Sequence, residues 1–359
     1  MPATTETITY STIAALALDK LSAKIADAIS TSNAALYFMK KRGNFEGVSS
    51  GGRQLRKTVL YNLQTVRPIG AYGTVNVNPV DSHTSAYYTW TQTAVPVSFA
   101  DLEEFQTSGE ESIESIVKAK YQQAKASLDD FFSRALLRGQ ADIDTSSITT
   151  AITSPTDGST FVDPLFKFAA FDNTSSLSVG AIDQSTNTWW RNQIYDMSSV
   201  TTLSAFLAGL RKLHVLVQRG GGGADRAPDF HIVDDAGTFN IYEKALALTH
   251  RNPDYSKADI PFENIAFKTK PVVPDELVPD VATGSTTMTD GSWFMGNSAF
   301  CGFTYDKKKS FKLGSNIRPN NQLVTTALMP IRGATWTNNR RKLGVAGGHV
   351  IATLEAATS

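Results

Sequence analysis

The chain has 359 residues, with 34 Lys+Arg against 34 Asp+Glu, so its formal net charge is zero. That balance argues against a dedicated nucleic-acid binder, whose basic surplus would show, while leaving room for contact through one basic face. A single cysteine, Cys301, excludes an internal disulfide framework.

No window approaches the roughly 18 uninterrupted apolar residues of a membrane span. The first residues also lack the basic and apolar regions of a signal peptide. The length supports two or three domains and a sizeable core. With 25 glycines and 14 prolines, the composition points to a soluble, intracellularly made α/β protein with long loops.

Residues 1–7 are polar and Thr-rich. From 12 to 29, Ile13, Leu16, Leu21, Ile25 and Ile29 follow helical spacing. Lys40, Lys41 and Arg42 then form a short basic run. Its ordinary explanation is a solvated face, and it is also a candidate contact for nucleic acid. The Gly/Ser-rich stretch 45–54 is a turn or flexible segment.

Residues 58–66 and 85–97 are rich in β-branched and aromatic residues and predict two strands joined by a long polar connection. A lone hairpin is marginal in water. Its aromatic residues Tyr61, Tyr72, Tyr87, Tyr88 and Trp90 therefore need a covering surface, and another subunit could supply it.

The longest regular element lies between Ser108 and Gly139. Ser108 and Glu111 form a capping box, and apolar residues recur at three- and four-residue spacing through Tyr121, Leu128, Phe132 and Leu136. Such a helix over 109–138 is a rod of roughly 45 Å. Residues 140–180 are Ser/Thr-rich and predict loop with short strands, in the manner of a surface insertion.

Residues 202–217 and 236–248 predict helices on either side of a short buried strand at 229–233, which makes a compact α/β module. The four glycines Gly220–Gly223 form a flexible loop between them. Further strands are expected at 262–268, 272–273, 292–303, 311–330 and 335–351. Lys307–Lys309 is a second short basic run.

Catalytic patterns are missing from the sequence. The glycine run lacks the spacing and lysine of a phosphate loop, and no nucleophile elbow is found. The five histidines show no metal spacing. His214, on the apolar side of a helix, reads as a satisfied core histidine, and Cys301 between aromatic residues reads as a small buried hydrophobe. Catalytic, cofactor and metal residues are all assigned as none, and the chain is not expected to be an enzyme.

Several segments resemble the major capsid proteins of tailed bacteriophages, whose shared fold is named after phage Hong Kong ninety-seven. AYYTWTQTAVPVSFADLEEFQTSGEESI is similar to that family's passage from extended loop to spine helix. GAIDQSTNTWWRNQ is similar to its G-x-I-D-x-S-x-x-x-W-W-R segment, here Gly180, Ile182, Asp183, Ser185, Trp189, Trp190 and Arg191. PDFHIVDDAGTFNIYEKAL resembles the strand and helix of its axial lobe. SWFMGNSAF and WTNNRRKLGVAGG, with Arg340, Arg341 and Gly344, resemble its closing strands. The likeness runs from about Phe45 to near the C-terminus.

The resemblance implies an α+β capsid fold in five parts. These are an N-terminal arm (1–44), an extended hairpin loop (45–98), a peripheral domain with spine helix 109–138 (99–200), an axial domain (201–290) and returning C-terminal strands (291–359). It implies a self-assembling virion subunit that forms hexamers and pentamers around non-specifically bound double-stranded DNA. Portal and decoration proteins are further implied partners, and no membrane is involved. With about 44 residues ahead of the extended loop, a separate scaffolding protein or an already mature sequence is expected. No residue is assigned to inter-subunit cross-linking. A nanocompartment shell enclosing a cargo enzyme is the alternative within the same fold, and an α/β enzyme is the alternative outside it.

Overall fold

The computed structural model describes residues 34–100 (save 65, 67, 75–77 and 79), 110–138, 162–219 (save 175), 227–233, 236–248, 265–275, 278 and 290–357 (save 313, 316 and 319). The helix expected at 12–29, the capping box at Ser108, the Gly220–Gly223 loop and residues 140–161 lie outside these.

Two sheets organise the molecule. The first has four strands in the order β1 (Phe45–Val48), β12 (Cys301–Asp306), β13 (Val324–Thr337), β4 (Thr91–Ala100). The second has six: β7 (Gln193–Asp196), β14 (Leu343–Val350), β11 (Asp290–Gly296), β8 (Phe230–Val233), β10 (Lys270–Pro274) and β9 (Ile265–Phe267). Two small antiparallel pairs, β2 (Gln54–Leu60) with β3 (His83–Thr89) and β5 (Ser178–Val179) with β6 (Ile182–Asp183), stand apart from both.

Helices cover these sheets where apolar side chains demand it. The long helix α2 (Glu110–Arg138) buries Tyr121, Ala124, Leu128, Phe132, Ala135 and Leu136, the stripe that its spacing predicts. Phe132 meets Phe303 of β12 edge-on at 5.6 Å, which seats the helix on the four-stranded sheet. On its open side Asp130 and Arg134 pair one turn apart.

The six-stranded sheet is buried on both faces, and the mostly apolar runs FHIV and SWFM match that burial. Phe230 and Phe294 point to one side, against Phe38 of α1 (Ala34–Lys41) and Phe166 of α3 (Leu165–Phe168). Val233, Trp293 and Met295 point to the other. There they meet α4 (Leu203–Gln218), α5 (Ala236–Leu248) and the short α6 (Ile351–Ala356).

Helix α4 is closed at both ends. The Thr202 hydroxyl accepts from Ala205 N at its start, and the buried Lys342 ammonium donates to the carbonyls of Gln218 and Arg219 at its end.

Several expectations change. The stretch 45–54 is not all turn, because Phe45–Val48 is strand β1, paired in parallel with β12. The segment 85–97 is two strands, because the chain leaves β3 at Trp90 and pairs afresh with β13, Val97 facing Ala327. The stretch 292–303 is likewise divided, turning at Ser298–Phe300 from one sheet into the other. Residues 162–171 are core, not surface insertion: Val162, Leu165, Phe166, Phe168, Ala169 and Ala170 are all buried. Their apolar run VDPLFKFAAF outweighs the polar stretch before it. Finally, His214 is buried but not satisfied, since its Nδ1 has no partner among the described residues. Cys301 is a buried hydrophobe whose thiol pKa is pushed up by burial.

Arg340 is the polar centre of the structure. Its guanidinium is sealed from solvent. Nε donates to Phe168 O at 2.9 Å, Nη1 to Gln184 Oε1 at 2.9 Å, and Nη2 to Lys167 O at 3.1 Å and Asn192 Oδ1 at 3.3 Å. All four acceptors are neutral. Burial lowers its pKa to about 10, against a smaller raising effect of Tyr88, so it stays charged near neutrality.

Replacing Arg340 with Met would leave four buried acceptors without their donor. We expect Arg340→Met to cost at least ~3 kcal/mol, read as a fall in the urea midpoint of the unassembled subunit. An unchanged midpoint would refute the role.

Acid should also destabilise the fold. His349 and His231 are fully buried, and burial lowers their pKa to about 4 and about 3. The unfolded chain takes up these protons near pH 6.5 and the folded chain does not. Stability is therefore complete above that pH and falls as the pH drops towards 4. Between pH 7 and 4.5 the wild type should lose about 2–3 kcal/mol more than His349→Gln.

Packing against the same ring gives a third expectation. A Cβ on Gly291 would sit 2.0 Å from His349 Nε2 and 2.3 Å from Thr238 Oγ1. Gly291→Ala should lower the thermal midpoint by the equivalent of about 1–3 kcal/mol or more.

Candidate assembly surface

The hairpin β2–β3 pairs in continuous register from Gln54↔Thr89 to Leu60↔His83, with Tyr61 N donating to Ser82 O to close it. Its root rests on the segment 178–192, where each matched position of GAIDQSTNTWWR has a structural task. Gly180 and Ala181, both near φ +60°, form the two-residue turn between β5 and β6. Gly180 also has no room for a side chain, because a Cβ there would lie 2.7 Å from Ala86 Cβ. Its carbonyl accepts from Tyr87 N at 3.0 Å, which ties the hairpin to the turn.

Beyond the turn, the Asp183 carboxylate accepts from Ser185 N and Oγ at 2.8 and 2.9 Å, shaping the next bend. Trp190 is buried and its Nε1 donates to Val179 O at 3.0 Å. Trp189 stacks on Tyr61 at 4.9 Å. Arg191 donates to the carbonyls of Gln184 and Ser185.

The five aromatic candidates therefore divide. Tyr88 is covered by its own chain: it is 2% exposed, its hydroxyl donates to Thr337 O at 2.6 Å, and its ring meets Phe168 edge-on. It is not left for a neighbour, because strand β3 turns this parity of side chains inward at the root, and burial pushes its phenol up. Tyr61 is partly covered by Trp189, and its phenol is raised by desolvation first and by Asp81 second. Trp90 donates from Nε1 to Gly51 O at 2.8 Å. Tyr87 is 41% exposed and Tyr72 completely so.

The tip carries apolar residues that the sequence reading did not single out. Leu63 is 74% exposed, Val66 91% and Ile69 52%, with Leu60 and Tyr72 alongside. Their polar surroundings in sequence hid them, since no periodicity marks an apolar residue in a loop. Exposed apolar side chains grouped along one excursion mark an interaction surface.

The basic candidates divide as well. Lys40 and Lys41 are exposed at the end of α1, with Lys41 6.0 Å from the Tyr37 ring. Arg42 is committed to the fold, its Nε donating to Asp229 Oδ2 at 3.1 Å. Asp229 in turn accepts from Ser298 N at 2.7 Å and from Ser298 Oγ. Near the hairpin root, Lys57 lies 3.5 Å over the Trp336 ring, and its pKa is lowered by desolvation more than Glu46 raises it. Among the described residues no three His, Cys, Asp or Glu side chains converge to hold a metal, and no helix is long and apolar enough to cross a membrane.

No protein-family model and no curated protein matches the sequence. Solved structures do match the fold. The capsid asymmetric unit of Cyanophage A-1(L) aligns with a TM-score of 0.60 at 11% identity, over 86% of this chain and 92% of that one. The capsid of a native GTA particle aligns with a TM-score of 0.53 at 9% identity, over 87% and 91%. Both matches run over most of the chain, and the protein has the phage-capsid fold of the Hong Kong ninety-seven type.

Proposed function

We propose that this chain is the structural subunit of a closed protein shell, assembled from hexamers and pentamers of itself around double-stranded DNA, and that it performs no catalysis. The observation that carries the proposal is the hairpin. Its root is locked to the subunit at Gly180, Trp189 and Thr337, while its tip holds Leu63, Val66 and Tyr72 out in solvent. A fixed arm with an apolar end makes a heterologous contact, and repeated heterologous contacts close into rings and shells. The capsid fold supports the same reading, although a fold alone does not assign a function.

On this reading residues 45–98 reach over a neighbour and the helix at 109–138 is the spine of the peripheral domain. Residues 99–200 hold most of that domain, residues 201–290 most of the axial domain, and residues 291–359 return through both. Residues 1–44 are the N-terminal arm, whose last part, from Ala35 to Arg42, packs onto the subunit. Assembly takes place in the host cytoplasm with a separate scaffolding protein, and a portal and decoration proteins complete the virion. Enclosed DNA is held without sequence preference.

Electron microscopy of the purified chain tests this directly. Rings or shells are expected, and a monomer at every concentration would overturn the proposal. The material that copurifies discriminates further: nucleic acid supports a DNA-enclosing shell, whereas a single enzyme would turn the assignment to a nanocompartment.

A second test isolates the arm. Replacing residues 63–80 with a short Gly-rich turn keeps Tyr61, Trp189 and the strand pairing, so the thermal midpoint should hardly change. Shells should disappear. Normal shells from this variant would end the inter-subunit role of the tip.

A further inference from the structure

The turn between β12 and β13 carries Lys307, Lys308, Lys309 and Lys312, all exposed. It is a built structure. Lys307 N donates to Val48 O, Lys308 N to Asp306 Oδ1, Ser310 N to Asp306 O and Phe311 N to Pro330 O. Phe311 takes the left-handed conformation at φ +62° and is buried against Phe132 and Tyr305. Ser310 is buried too, its hydroxyl donating to Arg332 O and accepting from Arg332 N. Two anchored side chains thus sit among four lysines and fix the backbone that presents them.

Among the described residues none of the four ammonium groups has a hydrogen bond or an acidic partner. The adjacent carboxylate, Asp306, is taken by Lys308 N and by Arg332 at 3.7 Å. Four like charges in six residues repel one another, and in a chain of zero net charge nothing on the turn offsets them.

We infer that the Lys307–Lys312 turn is a contact for the phosphate backbone of nucleic acid. The residue type favours phosphate over a protein partner. Packed protein interfaces are depleted in lysine and enriched in arginine and aromatic residues, and this turn exposes four lysines and no aromatic ring. Hydrated, flexible point charges suit contacts that follow a backbone without reading bases. The turn displaces the Lys40–Arg42 run as the principal contact, because Arg42 is committed to Asp229. The inference rests on the reading of the chain as a DNA-enclosing shell subunit and names the surface that meets the contents.

The test is the salt dependence of binding of the full chain to short fluorescein-labelled duplexes of random sequence, followed by anisotropy. With about four phosphates neutralised, affinity should fall on the order of a hundredfold between about 50 and 200 mM salt. The variant Lys307→Gln/Lys308→Gln/Lys309→Gln/Lys312→Gln should lose most binding at low salt, with a log–log slope shallower by roughly three to four. Lys40→Gln/Lys41→Gln should behave like the parent. If the fourfold variant fails to fold, the two pairwise variants should each remove about half of that slope. Parental affinity and slope in the lysine variants would overturn the inference. So would unchanged duplex binding together with lost shells, which would give the turn to a protein neighbour. If the parent forms no shells yet its duplex binding depends on these lysines, the shell proposal fails and this contact stands.

Discussion

A charged group in a protein interior is tolerated only when its surroundings replace the water it has lost, and Arg340 shows how this fold does so without a carboxylate. Two backbone carbonyls and two side-chain amide oxygens surround the guanidinium. Those acceptors come from the core stretch beginning at Val162 and from the foot of the hairpin at Gln184 and Asn192. Arginine suits the position because its planar fork donates in several fixed directions at once. A lysine could supply the charge but not that geometry. The amides are themselves held, Asn192 Nδ2 by Ala170 O and Gln184 Nε2 by Asp172 O, so the arrangement is one connected network.

That network explains why the hairpin is rigid where it leaves the subunit and exposed where it ends. Gln184 belongs to the same short segment that forms the Gly180 turn and carries Trp189 and Trp190. Arg340 therefore steadies the platform on which the hairpin stands. Tyr88 adds a second tie at Thr337, three residues before Arg340. The root is thereby coupled to the junction of the two sheets. The apolar residues described at the tip are exposed, and on the proposed reading a neighbour buries them.

Much of this was legible in the sequence. The long helix, α4 and α5 follow from spacing, because each buries a stripe against its own chain, and strands such as β8 and β10 follow from short apolar runs. The changes of partner were not legible. Residues 85–97 keep one β-rich composition while the backbone passes from the hairpin into the four-stranded sheet at Trp90, and a period of two is the same in either sheet. The corner at 297–300 is hidden for the same reason. Tyr88 could not be separated from Tyr87 as buried and exposed until the foot beneath the hairpin was in place. The apolar run at 162–171 was masked by the Ser/Thr-rich residues before it. His214 could be read as buried but not as unsatisfied, since that depends on which side chains face it.

The two sheets are each closed from the far end of the chain. Val97 finds its strand partner in Ala327, and Ile232 finds one in Phe294. Strands β11 and β12 are consecutive yet belong to different sheets, as do β13 and β14. A ribosome making this protein therefore releases β4 and β8 long before the strands that cover them exist. Neither sheet can be finished until β13 and β14 have emerged. Such non-local pairing folds slowly and leaves apolar edges open in the interval. The subunit accordingly has a built-in order of events, in which the β2–β3 hairpin can pair at once while both sheets wait for β13 and β14.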